Sequence, residues 1–333
     1  MEKDNKWLWF GVATLILVGM VYFSDTGKII DSLGKADLLP LIPALVFGMA
    51  VFPVWANTWY QFLKKMGLDL SYLYTLRLFM AGSFMNSVTP LGQFGGEPFM
   101  AYVINQNTES GYERSLSAVL SADIVNALPG FSFVIGGTFY MLFFKSVNDL
   151  VLQLAYVSTV VMMLGGALVY VLWFRAGLIE GYVFASLEKV SDFLGRGESL
   201  VDRAEDWLDE LEESFDMIGE NPRHLLETAA VAHLSFLFQV LSLYFIMFSL
   251  GMDPDFTPLY FVLAVGDLAQ FSPTPGGTGA YEAMMAGVLN VLMGVPPHLA
   301  IIIGVLFRLT TYWPGLLIGY ISLATIDKQG GPR

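Results

Sequence analysis

Ser87-Val88-Thr89-Pro90-Leu91-Gly92-Gln93-Phe94-Gly95-Gly96-Glu97 recurs as Ser272-Pro273-Thr274-Pro275-Gly276-Gly277-Thr278-Gly279-Ala280-Tyr281-Glu282, and both obey Ser-x-Thr-Pro-x-Gly-x-x-x-x-Glu. The offset, from Glu97 to Glu282, is 185 residues. The same offset carries Pro129-Gly130 onto Pro314-Gly315 and Pro40 onto Leu225, so the register holds well beyond the motif. Each Pro-Gly cluster sits in the middle of a long apolar stretch, Tyr72 to Ile104 and Pro258 to Met293. Proline and glycine free backbone groups there. Inside lipid such groups survive only where protein or a water-filled cavity satisfies them. Each break is therefore read as a cavity inside a broken helix.

Working outward, the 333 residues are 55% hydrophobic with a mean hydropathy of +0.59, which describes a chain solvated mainly by lipid. Uninterrupted apolar runs long enough to cross a bilayer occur at Trp7 to Phe23, Pro40 to Leu63, Ser115 to Phe144, Leu150 to Phe174, Leu225 to Leu250 and Leu299 to Ile326. Met1 to Lys6 followed by Trp7 to Phe23 has the outline of a signal peptide. Ser24-Asp25-Thr26-Gly27 offers no small-x-small cleavage pattern, so that run is read as a retained helix. The expected fold is all-α: six full spans plus two broken hairpins, in one membrane domain with copy one at 7–144 and copy two at 150–326.

Charge sets the expected topology. If both broken segments are re-entrant and the N-terminus is cytoplasmic, Lys3, Lys6, Lys64, Lys65, Arg114, Arg175, Lys189, Arg196, Arg203, Arg223, Lys328 and Arg333 fall inside. Only Lys28, Lys35 and Lys145 fall outside, in keeping with the positive-inside tendency. Three crossings per copy make the copies inverted, with both termini cytoplasmic in the cell membrane. The net charge of −13 is concentrated in Arg175 to His224, where 13 Asp or Glu face 5 Lys or Arg. Within it, apolar positions from Leu187 to Ile218 step by three and four, as in an amphipathic helix. A self-packed cytoplasmic hairpin is one reading of 187–218; a contact with a partner or a second copy is the other. No basic patch favours nucleic acid. No cysteine and only three histidines leave little for a metal or cofactor site.

The candidate site gathers Glu97, Asp123, Glu282 and Arg308 with the hairpin residues Thr89, Pro90, Gly92, Gly96, Thr274, Pro275, Gly276, Gly277 and Gly279. New half-helices begin near Glu97-Pro98 and Tyr281-Glu282, and a helix N-terminus attracts anions. The two glutamates either cap those helices or act on cargo. Asp123 and Arg308 share one position under the offset with opposite charges, which suggests a central pair or network, because a lone intramembrane charge is costly. Asn57, Asn86, Asn126 and Asp267 either line the cavity or bond between helices. His233 and Gln239 are read as satisfied core groups, and the Trp and Tyr residues as interfacial anchors. Arg77 is free to snorkel or to meet a lipid phosphate.

The chain resembles the transmembrane-region family of lysylphosphatidylglycerol synthases, the flippase-like domain of the multiple peptide resistance factor. The resemblance rests on Pro90-x-Gly92 to Gly96-Glu97, on Pro273-Thr274-Pro275-Gly276-Gly277-x-Gly279-x-x-Glu282, and on Arg308-Leu309-Thr310-Thr311-Tyr312-Trp313-Pro314-Gly315. It implies translocation of a lipid or lipid-linked headgroup between leaflets but does not supply the substrate; a membrane phospholipid or polyprenyl-phosphate lipid is the expected cargo, and no cofactor is expected. The soluble synthase domain is not expected, since the sequence stops at Arg333, so no enzyme activity is expected either. An ion-coupled transporter of small solutes and an intramembrane enzyme on a lipid-linked sugar, working with two carboxylates, are the alternatives.

Overall fold

A computed structural model describes residues 26–88, 96–108, 110–144, 222–272 and 274–326, with scattered positions between 153 and 167. These residues are helical throughout, apart from turns. Four helices are long and apolar enough to cross a bilayer: α2 (Leu41–Lys65), α5 (Tyr112–Phe144), α6 (Pro222–Ser249) and α9 (Pro297–Thr325). They coincide with four of the six expected spans. The described positions of the Leu150 to Phe174 run are helical. Trp7 to Phe23 and the acidic 175–221 segment lie outside the described residues.

The two interrupted stretches fold as half-helices. The first gives α3 (Tyr72–Val88) and α4 (Gly96–Asn107), with Thr89, Pro90 and Gly92 outside the described residues. The second gives α7 (Phe256–Asp267), two short 3-10 turns at Leu268–Phe271 and Pro275–Gly277, then α8 (Ala280–Met293). The chain does not resume an α-helix before Ala280, because Pro275 donates no hydrogen bond and Gly276, Gly277 and Gly279 all take positive φ, 56°, 67° and 84°. A short helix, α1 (Thr26–Lys35), precedes α2 and packs on α9.

The packing follows the 185-residue offset. Helix α2 lies along its counterpart α6. Helix α3 packs on α9 as α7 packs on α5, α4 on α5 as α8 on α9, and α2 on α5 as α6 on α9. The counterparts α2 and α6 run antiparallel. The Asp37 amide before α2 donates to the Ser249 carbonyl at the end of α6, 2.8 Å away. Phe47 meets Phe238 and Phe245. Further along, Trp59, Phe62 and Leu63 share a core with Ala229 and Ala232 near the start of α6. Helix α3 likewise runs against α9, with Arg77 beside Thr325 and Phe84 against Tyr320. Close approach depends on glycine at two points. A Cβ on Gly48 would fall 2.5 Å from the Thr310 carbonyl, and one on Gly319 would fall 2.5 Å from that of Met80.

Apolar side chains also face outward: Leu38 and Leu226 are each 70% exposed, and Ile42, Val46, Leu317 and Ile321 are similarly bare. In water such a belt would drive aggregation; in hydrocarbon it is the solvated surface.

Candidate functional site

The best-defined part of the site is built around Arg308, on α9 and only 6% exposed. Its Nε lies 3.4 Å from Glu282 Oε1, an ion pair without hydrogen-bond alignment. Its Nη2 donates to the Gly276 carbonyl at 2.7 Å and reaches Thr278 Oγ1 at 3.4 Å. The guanidinium carbon sits 3.5 Å from the centre of the Tyr312 ring and 5.1 Å from that of Tyr281. A charge removed from water is thereby covered by one carboxylate, one carbonyl and two π-faces. Tyr312 lies one turn beyond Arg308 on α9, so one helix face supplies both the cation and the ring above it. Gly276 is the residue this tie requires. Its φ of 56° turns the carbonyl toward Arg308, and a Cβ there would strike the Tyr312 hydroxyl.

Glu282 takes the capping role foreseen for it and also faces Arg308. Oε2 accepts the Gly279 amide at 2.7 Å, capping α8, while Oε1 faces Arg308. The tip is closed on itself by Gly277 N–H donating to the Thr274 carbonyl, Thr278 N–H to the Pro275 carbonyl, and a Ser272–Thr274 hydroxyl contact at 2.8 Å.

At the equivalent place in the first half, Glu97 stands in the first turn of α4 and is 8% exposed. Its Oε1 accepts from Asn86 Nδ2 at 3.0 Å, while the Gly96 amide donates to Asn86 Oδ1. Gly96 is confined, because a Cβ would press on the Gly82 carbonyl and on Asn86. Asp123 accepts from the Trp59 indole at 2.7 Å and lies near enough to Glu97 for their charges to act on each other.

Of the acidic partners expected for Arg308, it is Glu282 that pairs with it, and Asp123 forms no ion pair with Arg308. The reason is local: the half-helices that carry the glutamates, α4 and α8, pack on α5 and α9 of their own half. One expectation is corrected. Trp59 and Tyr281, read as interfacial anchors, are buried at 1% and 3% exposure and serve the charges instead. For Tyr281 the adjacency to Glu282 was the available signal; for Trp59 nothing in the spacing marked it. Arg77 is held by the Thr325 carbonyl and hydroxyl at 2.8 and 2.9 Å, at the carbonyl-rich end of α9. His233 is satisfied by the Ala229 carbonyl and Ser132. Asn126 bonds across to the Trp55 carbonyl and Tyr281 to Asp267, both as interhelical contacts. Among the described residues no group of three or more His, Asp or Glu is arranged to hold a metal.

Comparison with known sequences follows the same residues. The family described as the lysylphosphatidylglycerol synthase TM region matches residues 8–319, nearly the whole chain and both motifs. The chain belongs to this family. Relatives within reach of it include the UPF0104 membrane protein PH1989 of Pyrococcus horikoshii, 24% identical, the match covering 92% of this chain and 93% of the relative. A UPF0104 membrane protein of Methanothermobacter thermautotrophicus is 22% identical over 96% and 94%. MJ1595 of Methanocaldococcus jannaschii is 21% identical over the same shares. The lysylphosphatidylglycerol synthase TM region family thus includes this chain as a membrane protein with several apolar helices.

Proposed function

We propose that this protein moves a phospholipid or polyprenyl-phosphate lipid between leaflets, as a flippase or scramblase. The observation that carries the reading is the interrupted helix at Thr274 to Gly279, whose tip is tied to a buried Arg308–Glu282 pair. A second buried acidic site occupies the matching place in the other half. A lipid headgroup needs a polar path through about 30 Å of hydrocarbon while its tails stay in the bilayer. Two polar half-helix tips approaching from opposite faces supply one. The antiparallel course of α2 and α6, and the exchange of contacts between the halves, support an inverted repeat, with 7–144 and 150–326 as its copies. On this reading Thr89, Pro90, Gly92 and Gly96 line one tip, and Thr274, Pro275, Gly276, Gly277 and Gly279 the other. The N-termini of the half-helices that follow the tips draw the phosphate, Arg308 supports the second tip from behind, and the carboxylates meet a headgroup amine or hydroxyl or carry a coupling proton.

The test is a leaflet-specific quenching assay on liposomes carrying the purified protein and fluorescent phospholipids of several headgroups, or a polyprenyl-phosphate lipid. Transfer above empty liposomes is expected. Glu97→Gln, Glu282→Gln and Arg308→Ala should each lower it by about tenfold or more, corresponding to ~1.4 kcal/mol in barrier, in protein whose melting shows that it is folded. No transfer of any lipid, with a solute or ion flux that depends on the same three residues, replaces this reading by a solute transporter.

A further inference from the structure

We propose that the two halves hold different kinds of positive charge at one equivalent place: a fixed guanidinium at Glu282, and an exchangeable proton shared by Glu97 and Asp123. The site itself follows from the geometry below, while a role in coupling rests on the transport reading above.

The offset makes Glu97 the counterpart of Glu282 and Asp123 that of Arg308. In the second half the glutamate is neutralised from α9 by Arg308. In the first half the same position on α5 is an aspartate, so a second carboxylate stands where the cation stood. Asp123 feels the charge of Glu97, and the helices that carry them, α5 and α4, pack together. Among the described residues neither carboxylate makes an ion pair. On α3, Arg77 is spent on Thr325. On α5, Arg114, more than two turns before Asp123, donates to the Met66 carbonyl. Lys64 and Lys65 end α2 beyond Trp59, with Lys64 over the Tyr60 ring.

The hydrogen bonds already made narrow what fills the gap. Asn86 and Trp59 occupy one oxygen of each carboxylate with N–H donors. Glu97 Oε2 is buried and has no hydrogen-bond partner. A buried acceptor left bare is costly, and two carboxylates in one apolar site cannot both stay ionised cheaply; one proton on the pair lowers that cost. A metal cation would need a shell of oxygens, whereas two donors here already point at the carboxylates. Asp123 keeps some accessible surface.

Infrared titration of the purified full-length protein in detergent micelles reads the proton without any transport assay. Around pH 7, where an ordinary carboxylic acid with a pKa of ~4 is ionised, the wild type should show the C=O stretch of a protonated carboxyl, shifted in heavy water. Glu97→Gln and Asp123→Asn should each remove the band that titrates as a pair, and Glu113→Gln on the same helix should leave it. Asp123→Arg, which copies the second half, should remove it too by giving Glu97 a fixed cation. A wild-type spectrum with no protonated carboxyl at that pH overturns the proposal by itself, without reliance on any variant folding, and so does a band that survives both Glu97→Gln and Asp123→Asn. Failure of lipid transfer with the band present rejects the transport reading and leaves the proton site standing.

Discussion

At the scale of single residues, the site depends on glycine where a backbone carbonyl must be aimed and on aromatic rings where a charge must be covered. Gly276 meets two demands together, a positive φ and room for the Tyr312 hydroxyl. Gly276→Ala should therefore destabilise the protein by about 1–3 kcal/mol, read as a lowered melting temperature in micelles. Gly287, in α8, meets nothing within 4 Å of an added Cβ, so Gly287→Ala should be neutral or stabilise by about 0.5–1 kcal/mol. Equal losses at the two glycines would contradict the role given to Gly276. Arg308→Lys is not conservative here, since an ammonium lacks the planar guanidinium that meets the Tyr312 and Tyr281 rings while donating to the Gly276 carbonyl.

At the scale of elements, the half-helices are held by helix pairs that approach closely. Without a hydrophobic drive between apolar helices in lipid, association rests on packing and on small residues at the contact. Gly48 against Thr310 joins α2 to α9, and Gly319 against Met80 joins α3 to α9. Replacing either by valine should force the helices apart, at a cost of about 1–3 kcal/mol for overpacking. Thermal unfolding checks this, and an unchanged melting point for both would show that the interfaces are looser than described. Because α9 also carries Arg308, the same change at Gly48 should weaken lipid transfer more than its effect on stability alone.

At the scale of the whole molecule, the antiparallel course of α2 and α6 and the distribution of lysine and arginine both bear on orientation. The chain has no native cysteine, so single-cysteine labelling reports one position at a time. An impermeant thiol reagent applied to intact cells should label Gly34→Cys, an exposed position in α1 with open space around it. It should not reach Ser199→Cys until the membrane is permeabilised. The reverse pattern would turn the molecule over, and labelling of both in intact cells would end the inverted-repeat reading.

The sequence by itself determined that the protein is helical and built for lipid, where four of its spans run, and where two helices break, because hydropathy and Pro-Gly clusters act locally and leave their mark in the order of residues. It also picked out Glu97, Asp123, Glu282 and Arg308, since charges in an apolar stretch are conspicuous. Which charge meets which was decided by tertiary structure. Arg308 is 26 residues from Glu282, and its partners follow from how α9 lies on α8 rather than from any spacing. Trp59 reaches Asp123 across 64 residues of chain because α2 packs on α5. An ion pair in one half and a pair of like charges in the other came from a single offset in sequence; only the packing placed each α5 or α9 charge against the glutamate of its own half.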